Sequence, residues 1–347
     1  MSNYIAIAAK VKGLYGKRLK SLDYDAVMQM QTVPQIAQYL RSHAGYAEQL
    51  LPLDSLDISR GMLESTISQV SFVDFEKLNF FLSSKDRKLF LMLVLQMEML
   101  QILFYVRRLK AGYFEKSPLT YPSKVQGKIH LELSRLMTAR TAEALCAAAA
   151  GSVFSSILRR FLLEQPEGFT FTALELAMQS LYYTLLYRRI ERGYVGKLKK
   201  SLKEAFGRQL DLTNIARIVR LRLYFSDQPD ALFGHMIPMT YKVKPDFLRS
   251  LMTATDDAAV RALLLSSPYK SLYETYDFDM IEQYSREAQH DFYKQVLQSA
   301  QPSVLHVLAY FRFKETEVKN LINLVECVKY NIPKEQMHKY LVGVFKD

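Results

Sequence analysis

The chain has little that punctuates or staples a fold. Its 347 residues include 13 glycines, 11 prolines and two cysteines, Cys146 and Cys327. Two cysteines exclude both a disulfide-built scaffold and a cysteine-rich zinc site, and suit a cytosolic chain. So few turn formers leave room for long elements, and proline is absent from 53 to 117. Disorder is excluded for most of the chain, because 49% hydrophobic residues supply enough apolar surface to offset chain entropy. The length is a prior for two or three domains.

Catalytic and metal-binding signatures are also missing. None of the six histidines, His43, His130, His235, His290, His306 and His338, has a second His or Cys at ligand spacing, and no His-Glu-x-x-His occurs. There is no Gly-x-Ser-x-Gly nucleophile elbow. Cys146 lies in the alanine-rich run Leu145–Ala150 and reads as a small core residue. Gly193-Tyr194-Val195-Gly196-Lys197 looks superficially like a phosphate loop. Only two residues separate its glycines, however, and Leu198 follows the lysine, so the backbone cannot wrap a phosphate as such loops do. Gly13-Leu14-Tyr15-Gly16 fails for the same reason. No cofactor, metal or nucleotide site is expected.

Long uninterrupted apolar runs are absent as well. Leu89–Val106 comes nearest, but Gln96, Glu98 and Gln101 break it, which predicts a buried helix of a water-soluble fold. Ile5–Ala9 is apolar but precedes a basic run, the reverse of a secretory signal, so no targeting segment is expected.

Positive charge is what the chain has in excess. Lys and Arg number 46 against 35 Asp and Glu, a net +11. The excess is local. Segment 188–222 carries 11 basic and 3 acidic residues, and segment 10–20 carries Lys10, Lys12, Lys17, Arg18 and Lys20 without an acid. The remainder is slightly acidic. Two such patches suit an acidic partner: nucleic acid, anionic headgroups or an acidic protein surface. A basic helical nucleic-acid-binding or scaffold protein is therefore one reading, although no recognised RNA- or DNA-binding motif accompanies the charge.

The periodicity is helical almost throughout. Leu174, Ala177/Met178, Leu181 and Leu185 recur at helical steps, as do Val318, Leu321/Ile322, Val325 and Val328. Segments 117–123, 165–168, 227–230 and 300–302 read as loops, and Thr255-Asp256-Asp257 as a helix start. Two patterns then recur in each third of the chain. The first is an acid, a carboxamide three residues on, and an aliphatic residue next: Glu98-x-x-Gln101-Ile102, Asp211-x-x-Asn214-Ile215 and Glu317-x-x-Asn320-Leu321. The second is a short helix followed by an aromatic residue, with Tyr46, Phe154 and Tyr269 at corresponding places. Acid and carboxamide share one helix face, which suits a structural role for Glu98, Gln101, Asp211, Asn214, Glu317 and Asn320. Three copies of about 110 residues would occupy 1–116, 117–225 and 226–347, with terminal helices free to swap between copies.

The C-terminal run Tyr310-Phe311-Arg312-Phe313-Lys314-Glu315-Thr316-Glu317-Val318-Lys319-Asn320-Leu321, continuing to Asn331-Ile332-Pro333, resembles the signature of the V-type ATPase central-stalk subunit called C in bacteria and archaea and d in eukaryotes. Asp211-Leu212-Thr213-Asn214-Ile215 with Arg220 and Arg222 is similar to that family's internal motif, and Lys10–Leu19 to its N-terminal helix. Gln101 departs from the asparagine of the other two copies. The resemblance implies an all-α, funnel-shaped protein of three similar helical repeats about a pseudo-threefold axis, without a catalytic site. It implies a peripheral rotor subunit on the cytoplasmic face, of prokaryotic type, seated between the D and F shaft subunits and the membrane proteolipid ring. Neither nucleic acid nor nucleotide is expected as a partner. Arg107, Arg108, Arg220 and Arg222, from equivalent places in two copies, are the candidate docking residues.

Overall fold

The computed structural model describes residues 4–53, 58–112, 130–168, 170–222, 234–274, 277, 280–299 and 301–344. Every regular element among them is helical. In chain order these are α1 (Tyr4–Tyr15), α2 (Ser21–Met28), α3 (Val33–Ser42), α4 (Ala47–Leu50), α5 (Arg60–Asn79), α6 (Ser84–Ala111), α7 (Leu133–Thr138), α8 (Ala142–Ala148), α9 (Ser155–Arg159), α10 (Phe171–Gly193), α11 (Gly196–Arg222), α12 (Pro245–Thr253), α13 (Asp257–Ser266), α14 (Ile281–Gln298), α15 (Val304–Lys329) and α16 (Lys334–Met337). A five-residue π-turn, Arg160–Glu164, extends α9. The loops expected at 117–123 and 227–230 lie outside the described residues. The one at 165–168 contains a single 3₁₀ turn, Pro166–Gly168.

Residues 1–90, 116–128 and 290–347 form one compact unit, and residues 91–115 and 129–289 a second. In the first unit α15 lies along α5 and α1. Val318, Leu321, Val325 and Val328, the stripe visible in the sequence, meet Leu63, Ile67 and Val70 of α5, Ile36 and Leu40 of α3, and Val27 of α2. Burying side chains of this size is worth about 1.5–3 kcal/mol each, which makes this interface the main stabilising one of the unit. Beside it Phe75 stacks on Phe90 at 4.3 Å, and Phe311 meets both edge-on.

In the second unit α10 and α11 are joined by a two-residue connection, Tyr194-Val195, with Gly196 at φ +60 opening α11. Only glycine adopts that conformation without penalty, so Gly196 serves a tight helical hairpin. The buried stripe of α10 is Leu174, Met178, Tyr182, Leu186 and Ile190. Leu181 and Leu185, expected on that stripe, are half-buried. Tyr182 and its buried neighbour Tyr183 turn their rings into the core, which an aliphatic pattern does not show. Leu212, Ile215, Ile218 and Val219 of α11 pack on Leu248, Leu251 and Met252 of α12 and on Val260 and Leu264 of α13.

Local chemistry explains the short helices. Thr32, Thr141 and Asp256 cap α3, α8 and α13 by accepting from Gln35, Ala144 and Ala259 N–H groups. Ser83 caps α6 through Asp86. By length and composition α6 is apolar enough to cross a membrane. However, 61% of its most apolar window is buried within the protein, and Glu98 and Gln96 on it are bonded to protein groups.

Candidate functional site

Of the recurring acid-carboxamide residues, Glu98, Asp211, Asn214, Glu317 and Asn320 are buried, and Gln101 is half-buried. On α15, Glu317 Oε2 accepts the Leu19 N–H at 2.8 Å. Its Oε1 accepts the Tyr46 hydroxyl at 2.7 Å and the Lys314 ammonium at 2.5 Å. Lys314 also lies 4.2 Å from the centre of the Tyr46 ring. Both charged side chains are almost fully enclosed, Lys314 at 5% and Glu317 at 2% exposure, so each depends on the other for its solvation. Burial first, and the Glu317 charge second, push the Tyr46 hydroxyl pKa well above its ordinary value. One turn on, Asn320 accepts the Val342 N–H at 3.0 Å and donates to the Val342 carbonyl at 2.9 Å. The C-terminal segment is thereby held against α15 by a side chain that mimics a peptide group.

The same chemistry operates on α11. Asp211 accepts the N–H groups of Tyr241, Lys242 and Val243 and the Tyr269 hydroxyl, at 2.7–3.2 Å. Asn214 accepts from Ile237 N–H and donates to the carbonyls of Ile237 and Met239. The loop before α12 is thus pinned along α11. Gly207 permits this, because a Cβ there would collide with the Tyr241 ring.

On α6, Glu98 Oε1 accepts the His130 N–H at 2.7 Å and Oε2 accepts the Ser152 hydroxyl at 3.0 Å. Phe154 occupies the aromatic position and has no hydroxyl, so Ser152 supplies the donor that Tyr46 and Tyr269 supply elsewhere. The sequence departure at Gln101 has a structural counterpart. Its Oε1 is buried and has no hydrogen-bond partner among the described residues. The aromatic pattern was visible in the sequence, but the hydroxyl-to-acid bond was not, and Lys314 was missed. A lysine three residues before Glu317 on one helix was the available signal.

The four candidate arginines separate into two kinds. Arg107 is exposed, its guanidinium 4.4 Å from the centre of the Phe171 ring. Arg220 is exposed and pairs with Glu282. Arg108 is buried beside the Tyr105 and Phe104 rings. Arg222 is buried at the start of α13, 3.5 Å from the Asp256 carbonyl and 3.9 Å from the Asp257 carboxylate. Arg108 and Arg222 are therefore tied into the fold and present little charge at the surface. Arg217 and Arg286 join Arg220 along a groove of about 520 Å³ between α10, α11 and α14, with Glu175 and Glu282 on its walls. Elsewhere in the basic segment Lys199 and Lys203 share Glu191.

Cys146 is buried, and burial pushes its thiol up to about 11, so it is held as an unreactive thiol at neutral pH. The Gly193–Lys197 segment forms the turn of the helical hairpin, with the Val195 side chain in solvent.

Three of the long helices, α6, α11 and α15, carry buried carboxylates that tie them to loops and short helices. A model of the ATP synthase (C/AC39) subunit family matches residues 7–340, nearly the whole chain, and the protein belongs to that family. The family comprises stalk subunits of the V-type ATPase, a membrane-associated complex. No curated protein matches the chain closely enough to count as a relative.

Proposed function

We propose that the protein is the non-catalytic central-stalk subunit that joins the D and F rotor shaft to the membrane proteolipid ring, on the cytoplasmic face of a prokaryotic membrane. It carries torque between ATP turnover and movement of protons or sodium ions. In this reading the three acid-carboxamide helices mark three similar repeats.

The observation that carries the proposal is the set of three buried carboxylate anchors on α6, α11 and α15. A torque coupler must not yield at its joints. Each anchor ties a long helix to a loop or short helix through groups that would be left unsatisfied in the interior if the joint opened. Opening one costs at least about 1–3 kcal/mol per stranded group, which resists deformation far better than apolar contact alone.

Docking falls to the exposed basic residues, Arg107 and Arg220, with Arg217 and Arg286 of the adjoining groove. Complementary charge on a partner steers assembly and sets register. The test is mass spectrometry of what co-purifies with the chain from solubilised membranes. Shaft and ring subunits are expected. Salt-dependent retention of RNA or DNA on a filter, with no ATPase subunit recovered, would replace this reading with the nucleic-acid one.

A further inference from the structure

The hairpin of α10 and α11 ends in a basic apex that the docking arginines do not account for. Val195 stands at its tip with 85% of its surface exposed. Arg188, Arg189 and Arg192 of α10 and Lys197 and Lys200 of α11 are all exposed, within seven residues of that tip. At a rise of about 1.5 Å per residue they form a band reaching about 10 Å back from Val195.

Three observations mark the apex as a contact surface for negative charge. First, its charge is uncompensated. None of the five cations forms an ion pair among the described residues, and the carboxylate between them in sequence, Glu191, is taken by Lys199 and Lys203. Second, the apex is held in place. Ile190 and Tyr194 are buried, the Tyr194 N–H bonds to the Ile190 carbonyl at 3.1 Å, and the Lys199 N–H bonds to the Val195 carbonyl at 3.4 Å. The turn thus presents an aliphatic side chain ahead of a fixed set of charges. Third, the aromatic residues of this region face inward. Tyr182, Tyr183 and Tyr194 are buried and Tyr187 is half-buried, so the apex offers no ring on which a nucleic-acid base could stack.

We infer that this apex binds the surface of an anionic phospholipid membrane. Clusters of about four to eight Lys and Arg residues attract acidic headgroups. The band here matches the depth of about 5–10 Å over which an interfacial element enters the headgroup layer. Val195 leads the cations toward the acyl boundary, where an apolar side chain gains by leaving water. Nucleic acid offers the same phosphate charge, but without a stacking ring the apex has nothing to hold a base. The contact is with lipid itself, and so goes beyond attachment through a proteolipid ring.

Co-sedimentation of the full chain with protein-free vesicles tests this, with phosphatidylcholine alone and with phosphatidylcholine containing phosphatidylglycerol. Binding is expected only where phosphatidylglycerol is present, and should weaken as salt is raised. Arg188→Gln/Arg192→Gln/Lys200→Gln should lower the partition coefficient about a hundredfold, at about fivefold for each charge. Lys10→Gln/Lys12→Gln/Lys17→Gln removes as much charge from the N-terminal run and should lower it far less. Val195→Ser should weaken binding by a smaller factor with the salt dependence unchanged, because it removes apolar contact and no charge. All seven side chains are exposed, so thermal midpoints should not move. No binding to phosphatidylglycerol vesicles, equal losses in the two triple variants, or binding only to vesicles that carry the proteolipid ring would overturn the lipid contact. So would retention of RNA by the same patch without vesicle binding. The vesicles hold no protein, so these outcomes are separate from recovery of the shaft and ring subunits.

Discussion

Tyr46 donates its hydroxyl to Glu317 at 2.7 Å across 271 residues of sequence, so the beginning and the end of the chain share one buried hydrogen bond. Lys314 completes the cluster, and its partners define what happens when a member is removed.

Glu317→Ala strands the Lys314 ammonium in the interior and also frees the Leu19 N–H and the Tyr46 hydroxyl. A loss of about 3–5 kcal/mol is expected. Replacing both members, Glu317→Leu with Lys314→Met, should recover much of it, because no unpaired charge then remains. Urea unfolding of the single and double variants measures the difference.

Tyr269→Phe removes one of four donors to Asp211 and keeps the ring. A loss of about 1 kcal/mol is expected. Phe154 already occupies the corresponding position beside Glu98, so the ring alone sustains the packing. Asp211→Ala is predicted to lose several times as much, since three backbone N–H groups lose their acceptor together. Thermal midpoints of the pair give the ratio.

Alkali should unfold the protein through its buried tyrosines. Burial, reinforced by Glu317, Asp211 or Asp74, raises the pKa values of Tyr46, Tyr269 and Tyr310 above the ordinary value of 10.0. A raised acid pKa favours the protonated form in the fold. Its stabilising contribution is therefore complete below pH 10 and declines as pH climbs from there toward the folded pKa values. Each such tyrosine adds a slope of about 1.4 kcal/mol per pH unit in that window. Urea midpoints should be level from pH 7 to about 9.5 and fall above it, and the fall should be shallower in Tyr269→Phe.

Arg220→Ala and Arg222→Ala separate docking from folding, although the two lie on the same helical turn. Arg220 is exposed and its pair with Glu282 is worth at most about 1 kcal/mol, so the variant should fold normally and assemble poorly with the shaft subunits. Arg222 is buried at the start of α13, so its removal should lower the thermal midpoint. Reconstitution unchanged by Arg220→Ala would remove Arg220 from the docking surface.

Cys146 and Cys327 are both buried, and burial raises both thiols. Reaction with a disulfide reagent should be slow in the native protein at pH 8 and become rapid for both thiols once urea unfolds it. The rate of colour release measures this directly.

The sequence alone determined the helical architecture and where its polar anchors lie, because both are local. The stripe of Val318, Leu321, Val325 and Val328 and the cap at Asp256 are set by neighbours within one or two turns. The acid and carboxamide of each pair are three residues apart, so their shared face follows from helical geometry. Only the tertiary structure decided what those anchors hold. Leu19 and Tyr46 reach Glu317 across most of the chain, and no local rule selects partners at that distance. It also decided which arginines meet solvent. Arg220 and Arg222 lie about 200° apart around one helix, so equal charge in the sequence becomes an exposed residue and a buried one.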